Sequence, residues 1–358
     1  MFRALATATV VLTTTALLTA ATTERQQDPA RTDPDRTTAE RVDLSTAPRS
    51  RAEPATRTVR TEKPFSMVAL TWSGPAPDRM LLRPHRPDGP GEWQRLTPLG
   101  RDAPTDTAPP AATRARWIGP TTTVRIRAQR AGRDVTGRLR LIAISPAATP
   151  VETAPEPRGP RPPVVTRAEW GADESVMRWP PEYAATTRAA VIHHTVETND
   201  YTCADSARVV RGIYHYHAVE LGWGDIGYQV LVDKCGTLFE GRTDGLDRHV
   251  VGGHTRGFNA QTFGVALIGD FRTAVPSERA LRAAGDVAGW KLGTTGRDPL
   301  GRTTLVSGGG QGNRYPEGTE VRLPRIFSHR DVGETSCPGE HLYARLDRIR
   351  EHAADRAG

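Results

Sequence analysis

The chain is 358 residues long, 37% hydrophobic and 25% charged, with a formal net charge of +7 and three cysteines. Its length is enough for two ordinary domains. The charge invites an anionic partner such as a cell wall, but 45 arginines against 3 lysines also mark a GC-rich genome. The basic residues are scattered rather than clustered, which argues against a nucleic-acid partner.

In chain order, Met1-Phe2-Arg3 precedes the uncharged run ALATATVVLTTTALLTAA over 4–21. A basic start, a moderately apolar stretch and small residues near Ala20 and Ala21 predict a cleaved secretory signal over 1–21. The run is short and threonine-rich for a spanning helix, and no later stretch is apolar enough to cross a bilayer. The expectation is an exported protein, extracellular or associated with a cell wall, and monomeric. Residues 22–56 are polar, charged and proline-rich. They offer too little apolar surface to offset ordering entropy, which predicts disorder.

From 57 to 146 short alternating runs appear, FSMVALTW (65–72), RMLLRPHR (79–86), TTVRIRAQR (122–130) and GRLRLIAIS (137–145), separated by turns such as DGPGEW. Strands without intervening helices predict a small all-β, sandwich-like domain. Trp72, Trp93 and Trp117 are either core residues or a sugar-stacking face. Residues 147–163 read as a stiff proline-rich linker.

The stretch 164–356 alternates strand and helix. AAVIHHT (189–195) reads as a buried strand and 203–222 as a helix ending at Gly222. A hairpin follows over 226–242 across KCG, then a strand over 262–270. Residues 277–293 read as a helix capped by Ser277, RIFSHR (325–330) as the last strand and 339–356 as the last helix. Together these predict an α/β domain with a mixed sheet flanked by helices.

Three candidates for a metal site stand at strand ends: His193 or His194, His329, and Cys337. Zinc accepts imidazole nitrogen and thiolate sulfur, and a catalytic site keeps one position open beside three protein ligands. Adjacent strand residues face opposite sides of a sheet, so His193 and His194 cannot both reach one ion. Pro338 suits a first helical turn, whose N-terminus favours a thiolate at Cys337. In an exported chain two of the three cysteines are expected to pair, and the third needs its own explanation.

Six blocks occur in order: RAEWGA (167–172), VIHHT (191–195), GWGDIGYQVLVD (222–233), GTLFEGR (236–242), TFGVALIGDF (262–271) and HRDVGETSCPG (329–339). Together they resemble the family of peptidoglycan recognition proteins and type 2 N-acetylmuramoyl-L-alanine amidases, over roughly 164–350. The resemblance implies Zn2+ held by His193, His329 and Cys337, with Tyr228 beside the metal and Thr335 at a position the recognition amidases also fill with threonine. Cys203 and Cys235 then remain, and in an exported chain they are expected to form a disulfide. Alanine at 266 and cysteine at 337 set the chain apart from the branch that uses a strand glutamate and an aspartate ligand, which leaves the general base unassigned. The implied reaction is hydrolysis of the amide joining N-acetylmuramic acid to L-alanine of peptidoglycan, with zinc-bound water attacking the lactyl carbonyl. His254 and Asn259 match a loop that lines the family's groove, or simply pack that loop. Trp223 and Arg242 match positions associated with a meso-diaminopimelate stem, whose extra carboxylate a guanidinium can grip. A wall-binding module without hydrolysis and a zinc endopeptidase of the stem peptide are the competing classes. The former typically lacks the cysteine ligand.

Overall fold

The computed structural model describes residues 36–50, 53, 55–99, 111–148 and 161–357. The signal expected over 1–21 lies outside them, as does most of the expected linker. Two domains follow one another.

The N-terminal domain is all-β. Its strands are β1 (Thr38–Asp43), β2 (Arg57–Trp72), β3 (Arg79–Arg86), β4 (Gly89–Pro90), β5 (Gln94–Arg95), β6 (Arg116–Arg130), β7 (Arg133–Asp134) and β8 (Leu139–Ser145). All belong to one sheet in the order β1-β8-β2-β6-β3-β4, with β5 on β3 and β7 on β6. The disorder expected over 22–56 does not extend across its C-terminal part. β1 pairs antiparallel with β8 from Thr38↔Ser145 to Asp43↔Arg140, and Leu44 is fully buried. An edge strand is held largely by backbone pairing to its neighbour, so a composition argument built on apolar content misses it.

Strand alternation divides the apolar residues of this sheet between two cores. Val68 and Leu70 of β2, with Leu139, Leu141 and Ala143 of β8, pack into the domain's own core. The intervening Met67, Ala69, Ile142 and Ile144 point the other way, into a cluster shared with the second domain. Side chains on a strand alternate in direction, so a strand apolar at every position needs cover on both faces. Trp117 joins this shared cluster and Trp72 packs at the edge of the domain's own core. Trp93 lies between the Arg83 and Arg127 guanidinium groups, 4.7 and 5.0 Å from its ring centre.

The second domain is α/β. β9 (Val164–Val165), β10 (Ala189–His194), β11 (Val230–Val232), β12 (Leu238–Glu240), β13 (Thr262–Leu267) and β16 (Ile326–Ser328) form a mixed sheet in the order β16-β10-β13-β11-β12-β9. β10 runs parallel to β13 and β16, whereas β11 and β12 are the antiparallel hairpin. Six helices accompany it: α1 (Arg167–Trp170), α2 (Ser206–His215), α3 (Glu278–Gly293), α4 (His329–Val332), α5 (Glu340–Tyr343) and α6 (Leu346–Ala357). Ser277 caps α3 by accepting the Ala280 N–H, which satisfies a donor the helix itself cannot. α3 and α6 cover the sheet face bearing Ala190, Ile192, Val265 and Leu267. α2 and its π-helical extension over Tyr216–Glu220 cover Leu231 and Ala266 on the opposite face, together with the all-β domain.

The hairpin of β14 (Arg302–Val306) and β15 (Glu320–Pro324) was not anticipated. Its burial alternates cleanly, with Thr303, Leu305, Val321 and Leu323 facing inward, but each strand is only five residues long. The last expected strand ends at Ser328, because Ser328 and Asp331 form a capping box that starts α4 at His329. The last expected helix is two, α5 and α6. The Cys203–Cys235 disulfide is present, with Cα atoms 6.3 Å apart, and ties the start of the α2 segment to the β11–β12 turn.

Candidate metal centre and adjoining cleft

β10 delivers His193 and His194 to opposite faces of the sheet. His193 sits beside Ala266 of β13, on the face away from α3 and α6. His194 turns the other way, where its Nδ1 accepts the Phe271 N–H at 3.3 Å. His329 arrives on the first turn of α4, and Cys337 on the loop before α5. One ligand atom from each of His193, His329 and Cys337 falls within 4.8 Å of the others, and all three side chains are buried. The His193 and His329 ring centres lie 4.9 Å apart, and Cys337 Sγ is 3.6 Å from His193 Nδ1.

That donor set suits zinc: two imidazoles and one thiolate around one point, with bond lengths of about 2.0–2.3 Å. Burial, then the charges of neighbouring imidazoles, hold the His193 pKa well below its ordinary value, so the ring stays neutral and can ligate. The sulfur accepts the His194 backbone N–H at 3.4 Å. This stabilises a thiolate in place of the helix N-terminus expected from Pro338, since α5 begins only at Glu340.

The far nitrogen of His193 is also held. Its Nε2 lies 3.0 Å from His254 Nδ1 and 3.2 Å from Thr255 Oγ1. Fixing the outer nitrogen of a ligating histidine sets its tautomer and ring direction. Burial lowers the His254 pKa to about 3, so this partner is neutral too. Room for its ring comes from Gly264 on β13, where a Cβ would fall 2.5 Å from His254 Cδ2. Asn259 Oδ1 accepts both the His254 and Thr255 N–H groups, at 2.8 and 2.7 Å. Of the two readings left open for His254 and Asn259, their surroundings favour packing and support.

Tyr228 stands on the other side, its ring centre 5.2 Å from that of His193. Its loop is braced from a distance. Arg167 of RAEWGA pairs with Asp225 of GDIGY at 3.1 Å, both side chains buried, and Asp225 accepts the Ile226 and Thr243 N–H groups. These two motifs belong together because one anchors the other. Arg242 is only 8% exposed and donates to Ile226 O at 3.2 Å. Trp223, 6% exposed, packs against Leu99 of the all-β domain and lies 4.6 Å from the His217 ring centre. The second domain covers Trp223, which thereby supports the loop, whereas Arg242 is as exposed as Tyr228 and its bond to Ile226 O fixes the loop behind that tyrosine. Thr335 Oγ1 accepts the Cys337 N–H at 3.0 Å, which fixes the ligand's backbone and leaves the hydroxyl proton available.

Sequence reasoning missed Thr255, His217 and Glu197. Thr255 adjoins His254 and could have been found from that neighbour, and His217 lies in the stretch 203–222 that reads only as a helix. Glu197 follows His193 by four residues, past Val196, whose φ of 60° is uncommon for a β-branched residue. It accepts the Trp117 N–H at 2.6 Å, and burial raises its pKa to about 7.

Residues 183–340 match the family model described as N-acetylmuramoyl-L-alanine amidase. The α/β domain belongs to the peptidoglycan recognition protein and type 2 amidase family. Residues 16–163 match a second model, described as Rv3811 N-terminal galactose-binding domain-like. The chain is 28% identical over 180 residues to peptidoglycan-recognition protein SC2 of Drosophila simulans, covering 50% of this chain and 82% of that protein. It is 33% identical over 157 residues to N-acetylmuramoyl-L-alanine amidase of Homo sapiens, covering 42% of this chain but 22% of that protein. Among solved structures, wild-type Drosophila PGRP-LB aligns over 51% of this chain and 92% of its own, at 26% identity and a TM-score of 0.40.

Proposed function

We propose that this chain is an exported, zinc-dependent N-acetylmuramoyl-L-alanine amidase acting on peptidoglycan. The observation that carries the reading is the convergence of His193, His329 and Cys337 beside Tyr228. A binding module needs no such donor set. Zinc, when bound there, supplies a Lewis acid that polarises an amide carbonyl and makes water a nucleophile near neutral pH.

The chain's own groups do the rest. His254 and Thr255 hold the His193 ring through its outer nitrogen. The His194 N–H stabilises the Cys337 sulfur as thiolate. The Tyr228 hydroxyl donates to the oxygen of the scissile carbonyl as charge develops on it, a role in which a preorganised donor outperforms water. The Thr335 hydroxyl, its oxygen engaged by the Cys337 N–H, is a second donor. Arg242 and Trp223 stabilise the loop behind Tyr228.

The test is metal dependence. Purified protein should carry one zinc, lose hydrolysis of peptidoglycan on chelation, and regain it on addition of Zn2+. Full activity in a verified metal-free sample would refute the reading.

A further inference from the structure

In the all-β domain, strand register gathers arginines that the sequence scatters over residues 60–127. β6 lies between β2 and β3. Val59, Met80, Leu82, Val124 and Ile126 of these strands point into the domain's own core. Side chains alternate along a strand, so the residues between them share the opposite face. That face carries Arg60 of β2, Arg83 of β3, and Arg125 and Arg127 of β6, and Arg95 of β5 joins it beside Leu81. Arg60 and Arg95 are exposed and the other three half-buried. Farther along β2, past its register shifts, the side turned from the core is apolar, with Met67 and Ala69 in the cluster shared with the α/β domain. The sheet is thus apolar where it is covered and basic where it is open.

Arg83 and Arg125 stand directly opposite each other on adjacent strands. Like charges so placed cost stability, and the domain offsets little of that cost. Glu53 pairs with Arg83 at 3.3 Å, and the Trp93 ring lies between the Arg83 and Arg127 guanidinium groups. Two further carboxylates stand at the margins, Glu62 two residues beyond Arg60 and Asp134 opposite Gln129. Among the described residues, the Arg60 and Arg125 side chains have no hydrogen-bond or ion-pair partner. A face that keeps such repulsion uncompensated departs from what stability alone selects, which marks it as functional.

The spacing suits a polyanion. Alternate residues on a strand repeat every ~6.8 Å and neighbouring strands lie ~4.8 Å apart, so one flexible chain of phosphodiesters can meet several guanidinium groups at once. Each guanidinium fork matches a phosphate through two parallel hydrogen bonds. Among the described residues, the large apolar side chains most exposed to solvent all lie in the α/β domain, so this face has none to insert into a bilayer. Trp93, engaged by two guanidinium groups, is not a free platform on which a base could stack.

We propose that the arginine face of the all-β domain binds an anionic wall polymer of phosphodiester-linked units, and so holds the chain on the wall while the α/β domain acts on peptidoglycan. The choice of a wall polymer rests on the peptidoglycan reading above; the charge of the face does not.

The experiment uses the full-length, zinc-loaded protein and poly(glycerol phosphate) as the probe, with binding read by calorimetry at several salt concentrations. Affinity should fall by about 30- to 100-fold between 50 and 200 mM salt, as expected for about four phosphate contacts. Replacing two of the arginines together, Arg60→Gln with Arg125→Gln, should weaken binding by about 10-fold and lower the salt slope by about 1.5–2. Its Tm should hold, because neither side chain has a partner to lose. A control pair on α3, Arg279→Gln with Arg282→Gln, removes the same net charge from exposed positions of the α/β domain. It should leave polymer binding within about twofold. Both pairs should hydrolyse a soluble muropeptide with unchanged KM and kcat. Equal losses in the two pairs would overturn the proposal, since net charge alone would then explain binding. So would a marked drop in Tm for the Arg60 and Arg125 pair, or wild-type protein that binds anionic phospholipid vesicles or duplex DNA as tightly as the polymer. Polymer binding without muropeptide hydrolysis would sink the amidase reading and leave this one standing. Hydrolysis without polymer binding would do the reverse.

Discussion

His193 and Glu197 are four residues apart on one segment, yet the regions they belong to are built differently. The group of His193, His329 and Cys337 is assembled wholly within the α/β domain, from β10, α4 and the loop before α5, and His193 and Cys337 are each held by a neighbour of that domain. The adjoining cleft is assembled across a domain boundary, with Glu197 tied to Trp117 and Leu99 packed on Trp223. The two are thus specified by different parts of the chain. A change in the all-β domain should leave the group of His193, His329 and Cys337 intact, and a change in that group should leave the domain boundary intact.

The largest expected effect falls on the metal side. Cys337→Ala removes the thiolate and should abolish zinc retention and hydrolysis together, while circular dichroism and the domain contacts remain. Activity surviving in that variant would mean the two regions had been assigned the wrong roles. Tyr228→Phe keeps the ring and removes the donor, so kcat should fall by about 10²-fold. Zinc content measured by atomic absorption should stay unchanged. His254→Ala frees the outer nitrogen of His193 and should weaken zinc affinity by about 10- to 100-fold, read by competition with a chromogenic chelator.

Two smaller effects probe the side that carries the second domain. The Cys203–Cys235 bridge closes a loop of 32 residues at the start of the α2 segment, worth roughly 3–4 kcal/mol by the chain-entropy model. Reductant should lower Tm and leave zinc in place. Glu197 gives the last handle. Burial raises its folded pKa to about 7 from 4.5, so the folded state favours the protonated form. Stability should be greatest below about pH 4.5 as far as this group is concerned, fall as pH rises, and level off above about 7. Glu197→Gln should flatten that slope by a few degrees of Tm across the window. An unchanged slope would detach Glu197 from the interface.

The same division explains what could be read in advance. His193, His329 and Cys337 were legible because ligand chemistry restricts residue type at fixed places in ordered motifs. The strand alternation at 65–72 and 137–145 was legible as well, but its consequence was not. Met67, Ala69, Ile142 and Ile144 make β2 and β8 apolar on both faces, which in a sheet otherwise open to solvent signals a covered face. β1 escaped notice because backbone pairing leaves no apolar mark, and Glu197 because its partner, Trp117, lies 80 residues away in sequence in the other domain.

The central claim, that the His193, His329 and Cys337 group cleaves one particular bond, is tested most directly by mass spectrometry of purified peptidoglycan digested with the zinc-loaded protein. The account predicts free stem peptides beginning at L-alanine, together with glycan strands whose muramic acid has regained its lactyl carboxyl group, and neither product with Cys337→Ala. Fragments cut within the stem peptide, or intact peptidoglycan that binds the zinc-loaded protein and releases nothing, would contradict it.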